Sequence, residues 1–172
     1  MKIETKRLIL SEAKMNDAKE LIAIANEPSI AKGLSSFAYP FGEKEANEWL
    51  IKVTQEDYKA LFLREKSSLK LLGAIIIDIS KKHNHATLSY FLAKEYRNRG
   101  LMSEALRAVT HFCFEELDLI RVAAHHFHTN LASKRVLQKS GFELEGIRKK
   151  HFKKENEYLD IYDYGIIRRD IC

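Results

Sequence analysis

Glu95-Tyr96-Arg97-Asn98-Arg99-Gly100-Leu101-Met102-Ser103-Glu104-Ala105-Leu106 decides how this chain is read. The stretch follows a strand-like run, Ala86 to Ala93, and opens a strongly periodic helix, Ser103 to Leu117. At a strand-to-helix junction the first backbone N–H groups have no intrahelical partner. They sit at the positive end of the helix dipole and can hold an anion. Gly100 admits positive φ and close approach of the backbone, and Arg97 and Arg99 add two fixed charges. Exposed arginines often do no more than solvate a turn. Here their place beside the glycine makes Arg97, Arg99, Gly100, Leu101, Met102 and Ser103 a candidate pyrophosphate cradle.

Outward from this junction the chain alternates short periodic segments. Arg7 to Leu10 reads as a first strand, and Asn16 or Asp17 as the cap of a helix carrying Ala18, Leu21, Ile22 and Ile24 on its apolar side. Ser29 to Gly42 reads as a loop holding several large apolar residues, a composition that suits either a lid over a site or packing onto the core. A second helix is expected over Glu43 to Tyr58, with Trp49 in its apolar face. Strands are expected over Ala60–Glu65, Leu69–Ile79 and His85–Ala93, with another at Arg121–His128 after the cradle helix. A short helix, Leu131 to Lys139, ends where Gly141 supplies a C′ residue, and two strands, Phe142–Phe152 and Tyr158–Ile167, complete the chain. The order β-α-α-β-β-β-α-β-α-β-β defines an α+β class.

Composition narrows the function. A chain of 172 residues, 45% hydrophobic and 31% charged, fits one soluble domain spanning 1–172. No apolar run approaches the ~20 residues that cross a bilayer, and the N-terminus lacks the apolar core of a signal peptide, so a cytoplasmic, membrane-free location is expected. The net charge of +5 suits an anionic cofactor or an acidic partner. No basic stripe interleaved with aromatics points to dedicated nucleic-acid binding. Cys113 reads as a small buried hydrophobe and Cys172 as a terminal residue, with no disulfide framework. His125-His126-x-His128 puts two imidazoles on one strand face without a nearby carboxylate or cysteine, short of a zinc site, and no metal is expected.

Two motifs carry a family resemblance. Arg97-x-x-Gly100-x-Met102 resembles the R/Q-x-x-G-x-G/A signature of the GNAT acetyltransferase superfamily. Asn130-Leu131-Ala132-Ser133-Lys134-Arg135-Val136-Leu137-Gln138-Lys139-Ser140-Gly141-Phe142 resembles a second segment of that family, N-x-x-S-x-x-x-x-x-K-x-G-F. The methionine at 102 brings the chain nearest to the Rim type, the ribosomal-protein N-terminal acetyltransferases. The resemblance spans essentially the whole chain and implies the GNAT fold, a mixed and mostly antiparallel central sheet flanked by helices. It implies acetyl-CoA as cosubstrate, its pyrophosphate on the Arg97–Ser103 loop. The pantetheine arm would enter between two splayed strands, His85–Ala93 and Arg121–His128, and bond the backbone of Tyr90, Phe91 and Leu92.

By the same resemblance, Asn130 and Ser133 flank the thioester, with Ser133 beside the leaving thiolate; Asn130 is equally a natural helix cap. Many relatives place a tyrosine acid one turn beyond the serine, where this chain has Val136-Leu137-Gln138, and a glutamate base near His151, where it has Lys149-Lys150-His151-Phe152. His151 is the substitute base, with Glu95, Glu143, Glu145, Asp160 or a water chain as alternatives. The expected acceptor is a protein N-terminal α-amine. A small-molecule amine, or a module that binds acyl-CoA without turnover, are the competing readings, and an exposed sheet edge would allow a homodimer.

Overall fold

A computed structural model describes residues 1–34 and 37–169. Cys172 lies outside the described residues. The elements are β1 (Lys2–Glu4), β2 (Leu8–Glu12), α1 (Ala18–Ala25), α2 (Pro28–Gly33), α3 (Glu43–Val53), β3 (Thr54–Gln55), β4 (Tyr58–Glu65), β5 (Leu71–Ser80) and β6 (His85–Leu92). The second half holds α4 (Leu101–Glu115), β7 (Arg121–Phe127), α5 (Leu131–Lys139), β8 (Glu143–Lys154) and β9 (Glu157–Ile167).

The strands form one sheet in the order β1-β2-β4-β5-β6-β7-β9-β8, with β3 paired to β4. Only β6 and β7 run parallel among the described pairs, as the helical crossover of α4 between them requires. Because side chains alternate across a strand, β5 and β6 are apolar on both faces and carry two cores. On one face Leu72, Ile75, Ile77, Leu88, Leu106, Val109 and Cys113 pack under α4 and α5. On the other, Ala74, Ile76, Phe91 and Phe62 meet Leu21, Trp49 and Leu50 from α1 and α3. Each fully buried leucine or isoleucine contributes about 1.5–3 kcal/mol.

Several element boundaries differ from expectation. Part of the segment read as a loop from Ser29 is helical: Pro28 starts α2, where its fixed φ suits the first helical turn. The Ser29–Gly42 segment divides its apolar residues: Phe37 and Phe41 stack at 5.0 Å in the core, while Tyr39 is exposed. The helix expected to reach Tyr58 stops at Val53, because Thr54 and Gln55 turn back to pair with Lys59 and Tyr58. Asp17 starts α1 without a side-chain cap bond; its carboxylate takes the Lys14 N–H at 2.8 Å and the Arg64 guanidinium at 3.0 Å.

Candidate active site

The ladder between β6 and β7 begins at His85 opposite Arg121 and ends at Leu88 opposite Ala124. Beyond that pair, β6 continues from Ser89 to Leu92 on β5 alone, while β7 continues on β9. The two strands therefore splay, leaving a backbone edge with no strand partner in the middle of the sheet. A close approach on the far side accommodates this: a Cβ at Gly73 would lie 2.2 Å from the Phe91 carbonyl oxygen, so only glycine admits β6 there.

Across the gap stand the N-termini of two helices that end differently. In α5, the Asn130 carboxamide oxygen accepts the Ser133 N–H at 3.1 Å, a regular N-cap. In α4, the cap position is Gly100 at φ 73, which has no side chain to offer. The first helical bond runs from Glu104 N–H to the Gly100 carbonyl at 3.0 Å, so the N–H groups of Leu101, Met102 and Ser103 precede the ladder. The side chain of Met102 is buried in the core, leaving only its backbone toward the loop. That is why a methionine fits a position where the wider signature has glycine or alanine.

A cavity of about 360 Å³ lies along this edge, lined among others by Tyr90, Phe91, Leu92, Arg97, Gly100, Leu101, Met102, Ser103, Asn130 and Ser133. Of the residues expected from sequence to hold a cofactor, Arg99 alone is outside it. Its guanidinium lies over the Tyr96 ring at 5.3 Å, and its carbonyl accepts from Arg7 at 2.9 Å. Arg97 lines the cavity but is already engaged: Nε donates to the Leu92 carbonyl at 3.0 Å, and the guanidinium reaches Ser29 at 2.8 Å and Glu27 at 3.4 Å. It thus ties α2 to the end of β6. The cavity also holds two cations, Arg135 and Lys139, one turn apart on α5, which the sequence reading did not assign to the cofactor, although Lys139 is the lysine of the second motif. Their i, i+4 spacing was the available signal.

A second cavity, about 310 Å³, holds Lys52, Tyr58, Asp78, Thr87, Ser89, His125, His126 and Phe127. The two cavities share Gly33, Leu34, Tyr90, Asn130 and Ser133. At this junction the Ser133 hydroxyl and the Tyr90 phenol lie 2.7 Å apart. Burial pushes the Tyr90 pKa far above that of a free phenol, so the ring keeps its proton. Tyr90 was expected to contribute only backbone; its side chain was missed because a tyrosine on an alternating strand reads first as packing.

The carboxylates and the histidine suggested from sequence as bases lie outside both cavities. His151 is exposed on β8, where the pairing with β9 shifts register between Arg148 and Phe152, and its Nε2 is 2.7 Å from an Arg148 nitrogen. Asp160 closes that bulge, taking the Lys150 N–H at 2.8 Å and the Lys149 ammonium at 3.3 Å. The Lys150 backbone bond is the main reason its pKa falls below the ordinary carboxylate value, with Lys149 adding to it. Glu145 pairs with Arg121, Glu95 faces Lys70, and Glu143 is exposed. Asp78 is the one carboxylate lining the second cavity among the described residues. At the end of a β-branched run, it gave no sequence signal beyond a polar residue near a turn. Cys113 is fully buried, and burial pushes its thiol pKa up to about 12, which makes it inert.

The splayed parallel pair beside a helix N-terminus with no side-chain cap is the arrangement that the resemblance to acetyltransferases implied, and comparison with known proteins agrees. Residues 7–143 match the acetyltransferase (GNAT) domain, and the chain belongs to that family. It is similar to an uncharacterized N-acetyltransferase of Bacillus subtilis, YnaD, at 27% identity over 99% of each chain. A GNAT-family acetyltransferase from Bacillus anthracis superposes with a TM-score of 0.88 at 23% identity, covering 97% of this chain and 98% of that one. RimL, a ribosomal L7/L12 alpha-N-protein acetyltransferase solved with coenzyme A, superposes with a TM-score of 0.89 at 20% identity, covering 97% and 98%. The protein is an acetyl-CoA-dependent N-acetyltransferase of GNAT fold, and the Rim type is among its neighbours.

Proposed function

We propose that the protein transfers the acetyl group to a protein N-terminal α-amine by direct attack on the thioester. The observation that carries this reading is the meeting of two cavities at Tyr90, Asn130 and Ser133. In this reading the larger cavity takes the cofactor. Pyrophosphate rests on the free N–H groups of Leu101, Met102 and Ser103, with Arg97 beside it, and the pantetheine arm runs along Tyr90, Phe91 and Leu92. Arg99 then acts as a structural neighbour of Tyr96. The thioester reaches the junction, where the Ser133 hydroxyl protonates the leaving thiolate and Tyr90 orients that hydroxyl.

The acceptor enters the smaller cavity. Its candidate proton acceptors are imidazoles and a single carboxylate, Asp78. Such weak bases suit an α-amine, with a pKa of about 7.7–8.0, better than a lysine-type amine near 10.4. The volume of about 310 Å³ also fits a small amine acceptor, which is the second reading.

The test is thiol release from acetyl-CoA across peptides with different N-termini, polyamines and amino acids, beside a titration of cofactor binding. Turnover confined to peptides is expected, and turnover confined to small amines would move the assignment to the second reading. Ser133→Ala should keep cofactor affinity and lose on the order of 10²-fold in kcat, the lower end of acid–base contributions. Equal turnover by this variant would remove Ser133 from the mechanism.

A further inference from the structure

The mechanism still lacks a group to take the proton of the attacking amine. Among the side chains of the second cavity, His126 is singled out by three features. It stands on β7 two residues past Ala124, the last residue paired to β6, so it occupies the point where the strands have just separated. It is 3% exposed. And its ring has one nitrogen satisfied and one empty. Nδ1 lies 2.8 Å from the Phe127 carbonyl, which can only accept, so Nδ1 carries the hydrogen. Nε2 then bears the lone pair, and it is buried with no hydrogen-bond partner among the described residues. An unpaired buried acceptor disfavours the folded state, and a structure that retains one usually has a use for it. The rings of Tyr162 and Tyr164 flank the imidazole at 5.4 and 5.5 Å and hold it in place.

We propose that His126 Nε2 is the general base of acetyl transfer. The inference rests on reading the second cavity as the acceptor site. The amine nitrogen forms its bond to the thioester carbonyl carbon while its proton passes to Nε2. The carbon–sulfur bond breaks, its electron pair leaves on the thiolate, and the thiolate takes a proton from Ser133. His126 releases its proton to water and Ser133 regains one, so the net change is one amine proton delivered to coenzyme A thiol. No oxidant or metal is needed.

The neighbours keep this imidazole neutral. Burial is the main effect lowering its pKa below the ordinary histidine value, Lys134 on α5 adds to it, and the bond to the Phe127 backbone opposes both. The rings of Tyr162 and Tyr164 on β9 face it, and the same cavity is lined by the titratable groups Tyr90 on β6, Tyr58 on β4, Asp78 on β5, Lys52 on α3 and His125 on β7 itself. His125 lines the same cavity but points to the opposite strand face and is exposed, in register with Asp163, which binds Arg148 at 2.7 Å, so it lacks the buried, unpartnered nitrogen that marks His126.

The experiment uses the full chain with acetyl-CoA and whichever acceptor turns over in the panel above. His126→Asn keeps a donor for the Phe127 carbonyl and removes the base; His126→Gln retains a polar side chain of similar reach. Both should lose roughly 10²- to 10⁴-fold in kcat, with cofactor affinity and the unfolding midpoint of the Asn variant close to wild type. Below the limb set by the acceptor amine's own protonation near 7.7–8.0, the wild-type kcat/KM should steepen into a second acid limb below the ordinary imidazole value of about 6.5, and it is this second limb that should vanish in the variants. Rates within about threefold of wild type, or an unchanged second limb, would overturn the assignment. Nitrogen-15 NMR of the imidazole in the resting protein gives a readout independent of turnover. A neutral ring protonated on Nδ1 is expected, and a ring protonated on Nε2 would overturn the proposal. A wild-type protein silent toward every amine would instead refute the acceptor reading, while the NMR result still judges the tautomer.

Discussion

Arg7 and Glu104 show how much of the site depends on residues that line neither cavity. The Glu104 carboxylate accepts from the Thr5 hydroxyl at 2.6 Å, the Arg7 backbone N–H at 2.9 Å and the Arg7 Nε at 2.7 Å. Another Arg7 nitrogen donates to the Arg99 carbonyl, so one arginine fastens the cradle loop and the first turn of α4 to the N-terminal strands. Burial alone would raise the Glu104 pKa, but these bonds outweigh it and hold the value below that of a free carboxylate. A depressed folded pKa gives stability that is present above the unfolded value of about 4.3 and is lost as pH falls through the folded one. Glu104→Gln should therefore cost on the order of 1–3 kcal/mol near neutrality, where charge-assisted bonds are intact. Denaturant unfolding at a series of pH values should show that difference shrinking in acid; a difference independent of pH would mean that the charge contributes nothing. Neither residue is conspicuous in sequence, since their contact joins positions far apart in the chain.

Among the elements, the two helix N-termini at the gap were legible to different degrees. Both glycine and asparagine suit an N-cap position, so residue type alone left Asn130 with two readings, cap or cofactor contact. The structure shows the cap bond. Asn130→Ala should lower stability by about 1 kcal/mol, and Asn130→Asp should restore it, because the carboxylate accepts the same N–H. If Asn130→Asp also restores cofactor affinity by titration, capping accounts for the residue; if affinity stays low, the carboxamide nitrogen contacts the cofactor directly. The α4 terminus was readable at once, because Gly100 follows a strand and two arginines and directly precedes a periodic helix, the local order an anion-binding turn requires. α2 was not. It is a six-residue helix holding Pro, Ser and Gly, and its helicity comes from burying Ile30 and Ala31 rather than from periodicity. The splay was equally hidden from local pattern, because ladder ends are set by partners distant in sequence, and only the family resemblance anticipated it.

For the whole molecule, Arg97 and Lys154 both bind α2 to the sheet, Arg97 from the cradle loop and Lys154 from the end of β8. The Lys154 ammonium donates to the carbonyls of Ala31, Lys32 and Leu34 at the end of α2, and lies over the Phe127 ring. Since α2 borders both cavities, cofactor binding should be felt across the molecule. Acetyl-CoA at one hundred times its dissociation constant should raise the unfolding free energy by about 2.7 kcal/mol, seen as a higher unfolding midpoint by calorimetry. No shift at that excess would contradict binding to the folded state.

The five residues common to the two cavities have an evolutionary consequence. Lys52, Tyr58, Asp78, Thr87, Ser89 and His125 belong to one cavity and not the other. If cofactor and acceptor divide the cavities as proposed, mutation there can redraw the list of accepted amines while the cofactor half is inherited untouched. At Gly33, Leu34, Tyr90, Asn130 and Ser133 a change alters both halves at once, so drift toward a new acceptor is channelled away from them. A lineage built this way diversifies on one side of a fixed seam.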